Sequence, residues 1–247
     1  MIVKFVTDRR DAFRRRKNRN LPWRALMALP WREWFARDRV CVFHHIPKCS
    51  GTSVVNVLGR WFLLKEDYRA FAEGDWRADK RMELERLGNR HCLAGHFDTP
   101  GVHLRDRYPE VLNDRRYFLF TFVRDPLAVK LSLFRYEKQS GVIPDMTLEE
   151  HLLTRDNYIA NCLPCGPENL EDVLARYDFI GVTEHMQESF RQLAECLDRK
   201  PIAIPRLNAA REASGGIQLA PALIDAFRQR NALDYRIYET AVRRLLG

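Results

Sequence analysis

Between residues 40 and 64 the chain runs from a β-rich stretch, VCVFHHI, through a loop of small residues, PKCSGTS, into apolar residues at helical spacing from Thr52 to Leu64. A strand that hands over to a helix through so short a loop packs that helix back across its own sheet. A chain that repeats the step builds parallel strands with helices on the faces. The step recurs here. HCLAGHF (91–97) is a second short apolar run, and RYFLFTFV (116–123) is the strongest strand signal, bounded by Asp125-Pro126 and followed by a helix through about Lys138. FIGVTE (179–184) is a fourth strand leading into the amphipathic stretch MQESFRQLAECL (186–197), and the last 27 residues, from Pro221, read as helical throughout. The expected fold is α/β: three layers, a parallel sheet between helices, with ligands gathered at the carboxyl ends of the strands.

Charge separates the chain into two parts. Residues 1–39 carry 12 Lys/Arg against 4 Asp/Glu, which leaves 29 of each sign in residues 40–247. The whole excess of +8 therefore lies in a basic N-terminal extension, and the neutral remainder argues against a nucleic-acid groove across the domain. DRRDAFRRRKNRN (8–20) is too charged to build a core. The echo Leu21-Pro22-Trp23-Arg24 and Leu29-Pro30-Trp31-Arg32 sets tryptophans beside arginines, a pattern able to dock on the domain, on an anionic membrane surface or on a partner. No apolar run approaches the roughly 18 residues of a membrane span, and ALMALPW (25–31) lacks a cleavage site. The six cysteines then read as reduced thiols, and the expected location is cytoplasmic, with peripheral contact at the inner membrane face open to residues 1–39.

The loop at 47–53 carries the chemistry. A strand-to-helix turn exposes backbone N–H groups at the positive end of the helix dipole, small residues let an anion approach them, and Lys48 adds a full charge. The same letters also suit an ordinary turn with a surface lysine. An ATP-type cradle reads G-x-x-x-x-G-K-[ST] with its lysine after the last glycine, whereas here the lysine leads and a single glycine follows.

FHHIPKCSGTSV resembles the 5′-phosphosulfate loop of the carbohydrate-type sulfotransferases, the family that contains heparan 2-O-sulfotransferases and many bacterial relatives, whose usual form is I-P-K-T-G-G-T-S. Ile46, Pro47, Lys48, Gly51, Thr52 and Ser53 match, while Cys49 and Ser50 replace Thr and Gly. FTFVRDPLAVKLSLFRYEK (120–138), with Ser132 eight residues after Arg124, resembles the family's 3′-phosphate-binding segment, with Lys130 where the family often has Arg. LAGHFDTPGVH (93–103), RDNYIANCL (155–163) and FIGVTEHMQESFRQL (179–193) extend the likeness in the family's order. The resemblance implies a P-loop NTPase-like sulfotransferase fold over residues 40–247. It further implies 3′-phosphoadenosine 5′-phosphosulfate (PAPS) as donor, 3′-phosphoadenosine 5′-phosphate (PAP) as product, no metal, and a hydroxyl of a glycan, glycolipid or small molecule as acceptor.

On that resemblance Lys48 meets the bridging oxygen, and Lys48, Cys49, Ser50, Gly51, Thr52 and Ser53 hold the phosphosulfate. Arg124 and Ser132 grip the 3′-phosphate, although Arg-Asp-Pro also permits Arg124 to pair with Asp125 or a helix end. His96, at a strand end, is the expected general base. His45 adjoins the loop and is expected to point into the sheet; His103 is a helper. PRLNAAREASGG (205–216) is polar, glycine-bearing and basic enough to close over the donor, with Arg206 and Arg211 as candidates, and it suits a plain surface loop equally well. Cys162-Leu163-Pro164-Cys165 has no second Cys-x-x-Cys to complete a zinc site. Two other functions fit the same cradle: a nucleotide kinase or other phosphotransferase, and a non-catalytic nucleotide-binding protein docked through residues 1–39.

Overall fold

The computed structural model describes residues 39–68, 81–98, 102–143, 145–202 and 219–247. The paired LPWR units and the segment with Arg206 and Arg211 lie outside the described residues. The elements in order are β1 (Val40–His44), α1 (Gly51–Trp61), β2 (Leu63–Asp67), a 3-10 turn (Leu84–Arg86), β3 (His91–Gly95), α2 (Leu104–Arg107), α3 (Pro109–Asn113), β4 (Tyr117–Val123), α4 (Pro126–Gln139), α5 (Leu148–Leu152), α6 (Tyr158–Cys162), α7 (Leu170–Ala175), β5 (Phe179–Val182), a second 3-10 turn (Thr183–His185), α8 (Met186–Leu197), α9 (Pro221–Arg230) and α10 (Ala232–Leu246).

Among the described residues five strands form one parallel sheet in the order β2-β3-β1-β4-β5. β1, β4 and β5 are buried at every position, as strands covered on both faces must be, and they read as continuous apolar runs. On one face Phe43 stacks on Phe120 (5.3 Å), Phe122 meets Phe190 of α8 (5.2 Å), and Phe190 meets Trp61 of α1 (6.2 Å). On the other, His44 packs against Phe97 and Tyr177, and Phe97 against Tyr108, under α2, α3 and α7. The sheet with helices on both faces is the expected architecture.

Two boundaries differ from the sequence reading. The first helix stops at Trp61, and Leu63–Asp67 is a fifth strand rather than the helix's last turn. Among the described residues this strand lies at the sheet edge and carries Lys65 and Glu66, charges that suit an edge position, while Asp67 turns inward to accept from Arg107 and Tyr108 (both 2.6 Å). The C-terminal helical run is broken at Asn231, whose side chain donates to the Phe227 carbonyl (2.8 Å) and accepts from the Asn157 amide (2.8 Å). Asn157 answers by accepting from the Leu233 amide (3.1 Å), so the 155–163 segment and α10 cap each other.

The topology fixes where a ligand can sit. From β1 the chain crosses towards β2 on one side, and from β4 it crosses to β5 on the other. The crevice between the carboxyl ends of β1 and β4 is therefore the point where connections part, the usual binding position in an open parallel sheet.

Candidate active site

The loop after β1 opens into that crevice. Lys48 (φ 66°) and Ser50 (φ 60°) are both left-handed, an alternation that turns successive amides inward to form a concave anion nest. Among the described residues the Ser50 and Gly51 amides make no backbone hydrogen bond, whereas the Ser53 amide donates to the Ser50 carbonyl (2.9 Å) and begins α1. The cradle's open donors are thus concentrated at its centre, and Thr52 stands exposed beside them.

Ser50 is the N-cap of α1, yet its side chain makes no capping bond. It holds a conformation that costs an L-residue roughly 1–2 kcal/mol and glycine almost nothing. Ser50→Gly is therefore expected to stabilise the fold by about 0.5–1 kcal/mol after glycine's extra chain entropy is counted. For a chain of this size that raises Tm by about 2–4 °C per kcal/mol, a shift that thermal unfolding resolves.

Cys49 departs from its expected role. Its thiol is buried in the core, burial pushes its pKa well up, and its amide donates to the Ile46 carbonyl (3.3 Å). The residue that replaces the family's threonine thus anchors the loop from below and turns no side-chain donor towards the nest.

Arg124 leaves β4 directly opposite the loop. Its Nη1 donates to the Lys48 carbonyl (3.3 Å), and its Nε, buried and without a hydrogen-bond partner among the described residues, lies 3.9 Å from Glu184. Asp125 does not pair with it: the aspartate caps α4 by accepting from the Ala128 amide (2.8 Å), with Pro126 at the first helical position. Arg-Asp-Pro is thus one crevice cation followed by a helix start. Glu184, after β5, accepts from the Asp125 amide (3.2 Å), and burial raises its pKa. The Gly-x-x-Glu signal was visible in the sequence, but only the sheet order shows that this carboxylate faces Arg124.

Ser132 is half-buried in the middle of α4. One turn on, and on the same stripe, Tyr136 places its ring under the Lys48 ammonium (4.6 Å to the centroid). Lys130 points elsewhere: it is buried, donates to the Thr154 carbonyl (2.5 Å), and burial lowers its pKa to about 8. Near it Glu137 receives Arg155 and His151, an internal tie between α4 and α5.

The histidines are distributed differently from the sequence reading. His44 is the one that enters the packed face of the sheet: its Nδ1 is 2.8 Å from the Tyr177 hydroxyl, and burial, with His96 and His103 nearby, drives its pKa down to about 3. His45 turns instead towards the crevice. Its Nδ1 lies 3.1 Å from His96 Nε2 and 3.1 Å from the Tyr68 hydroxyl, while its ring lies against Gly51. His96 is thereby joined to the cradle through His45. His103 sits at the start of α2 with its Nδ1 3.7 Å from Asp106, and burial lowers its pKa. The six cysteines form no disulfide; Cys162 is buried and its pKa is pushed well up by desolvation, and that of Cys165 is raised to about 11.

Lys48, Arg124, Glu184, Tyr136, Tyr68, His45 and His96 thus surround the carboxyl ends of the central strands. The crystal structure of a sulfotransferase from Alicyclobacillus acidocaldarius has the same fold, with a TM-score of 0.51 at 14% identity, covering 84% of this chain and 96% of that one. No curated protein matches. The model of the Sulfotransferase family matches residues 31–239, a span that takes in the cradle, Arg124, the histidine pair and all five strands. With a match over most of its length, the chain belongs to the sulfotransferase family.

Proposed function

We propose that the protein transfers the sulfuryl group of PAPS to a hydroxyl of a glycan, glycolipid or small-molecule acceptor. The observation that carries this reading is the junction of Arg124 with the Lys48 carbonyl across the β1–β4 crevice. It sets two cations of different reach on one nest, as a nucleotide with phosphates at both ends requires. PAPS supplies the reactive sulfate and a stable leaving phosphate. The protein's own groups orient and stabilise. The Ser50 and Gly51 amides, with the Thr52 and Ser53 hydroxyls, hold the 5′ end, and Lys48 neutralises charge as it grows on the leaving oxygen. Arg124 and Ser132 bind the 3′-phosphate. His96 takes the acceptor's proton, an imidazole being suited to that transfer near neutral pH. Glycan acceptors are favoured by the resemblance to carbohydrate-type enzymes. Six cysteines without a disulfide suit a reducing compartment, and residues 1–39 are the part open to a membrane or protein partner.

Calorimetry with PAP, without Mg²⁺, tests the reading. The wild-type chain is expected to bind PAP saturably and ATP far more weakly. Arg124→Ala removes a charge-assisted contact worth about 1.5–3 kcal/mol, a loss of about 10- to 100-fold in affinity. Binding of ATP with Mg²⁺ in preference to PAP would establish the phosphotransferase alternative instead.

A further inference from the structure

His45 is buried among named neighbours. Its ring stacks on Phe43 (5.4 Å, 12° between planes) and meets Tyr68 and His96 edge-on (5.6 and 4.4 Å). Its backbone amide donates to the Gly95 carbonyl (2.9 Å), which ties the end of β1 to the residue before His96. Its Nε2 edge fills the space where any residue but glycine at position 51 would carry a Cβ. The ring is therefore fixed in place, and so is the direction of its Nδ1.

That Nδ1 lies 3.1 Å from His96 Nε2, and a single proton lies between them. The two ways of placing it are not equivalent for catalysis. If His45 Nδ1–H donated to His96 Nε2, neutral His96 would hold its own proton on Nδ1 and have no lone pair left for an acceptor. If His96 Nε2–H donates to His45 Nδ1, the lone pair of His96 is on Nδ1 and the ring can act as a base. Resting on the sulfuryl-transfer reading above, we propose that His45 is a positioning residue that accepts the Nε2–H of His96 and so fixes Nδ1 as its basic atom.

The acceptor's hydroxyl proton passes to His96 Nδ1 while its oxygen forms the new bond to sulfur. The bond from sulfur to the bridging oxygen breaks, and its electron pair stays on the departing phosphate. The resulting imidazolium keeps its Nε2–H on His45, which stabilises the positive ring as the orienting group of a triad does. Tyr68 reaches the same Nδ1 at 3.1 Å, where its hydroxyl can only donate to a bare nitrogen, so it shares the acceptor with His96 and favours the same His45 tautomer.

Long-range proton–nitrogen correlation spectra of the full chain carrying ¹⁵N-histidine test this directly. His96 is assigned by the signals lost in His96→Ala, and PAP binding is measured on the same sample. The expected result is His96 protonated at Nε2 and bare at Nδ1 in the wild type and in Tyr68→Phe. His45→Asn, whose side-chain oxygen can stand where Nδ1 stood, keeps that tautomer. His45→Ala releases it to a mixture and lowers the rate of PAP release from PAPS about tenfold, a loss that His45→Asn largely recovers. A wild-type His96 protonated at Nδ1, with PAP bound, overturns the role of His45 whatever the variants do. Absence of PAP binding with the Nε2–H tautomer in place overturns the sulfuryl-transfer reading instead.

Discussion

Gly51→Ala is expected to abolish PAP binding and to lower the melting temperature sharply. A Cβ at position 51 would lie 1.6 Å from Nε2 of His45 and 2.1 Å from two of its ring carbons, so ring and methyl cannot both keep their places. The ring has nowhere to retreat, because Phe43 stacks on it, Tyr68 and His96 meet its edges, and its backbone is bound to Gly95. The alternative is for the start of α1 to move, which opens the nest formed by Lys48 and Ser50. Overpacking of this kind costs typically 1–3 kcal/mol, and a site closed on so many sides belongs at the upper end. At about 2–4 °C per kcal/mol, Tm falls by about 6–12 °C. A double-mutant cycle separates this clash from any general intolerance of alanine in the loop. In a His45→Ala background the Gly51→Ala substitution should cost little further stability, giving a coupling of about 2–3 kcal/mol. Additive losses would show that the glycine is needed for a different reason.

The parallel architecture was readable because β1, β4 and β5 are covered on both faces and so appear as unbroken apolar runs. β2 escaped for the opposite physical reason: an edge strand solves its exposure with charge, and LLKED after a tryptophan looks like the polar end of a helix. The helix α5 carried a usable signal in Thr147 and Glu150, which form a capping box, and the break at Asn231 carried none beyond the asparagine itself. At the site, Lys48, Arg124 and His96 could be proposed from order along the chain. Their partners could not. Glu184 and Tyr68 reach the crevice from the outer strands, and only the order β2-β3-β1-β4-β5 brings them there. Neighbouring strand positions point to opposite faces, so the exact end of β1 decides which of two adjacent histidines faces the site, and the sequence does not mark that end. His44 went to the packed side and His45 to the site.

Lys48→Ala is expected to remove most of the turnover while leaving the fold nearly unchanged. In the structure the Lys48 ammonium lies over the Tyr136 ring at 4.6 Å, and its carbonyl is held by Arg124 at 3.3 Å. The alanine variant keeps the carbonyl contact and forfeits the cation–π contact, which at an open site is worth about 0.5–1 kcal/mol. Its effect on rate is larger, because the charge of Lys48 counts most when negative charge has built up on the leaving oxygen. An interaction that strengthens only then lowers kcat and kcat/KM together and leaves donor affinity little altered. Removal of one such stabilising group from a preorganised site costs about 10²–10³ in kcat, or about 2.7–4 kcal/mol. Lys48→Arg should recover little, since a planar guanidinium is larger and differently hydrated than an ammonium and must leave the same left-handed backbone position. Tyr136→Phe, which keeps an aromatic face under the lysine, should retain most of the activity. PAP release from PAPS, followed in the four proteins at saturating donor, decides the matter. If Lys48→Ala turns over as fast as the wild type, Lys48 is a surface cation resting on a tyrosine and the leaving oxygen is neutralised by another group. If it keeps its affinity for PAPS and turns over several hundredfold more slowly, the lysine at the front of the loop acts on the breaking bond.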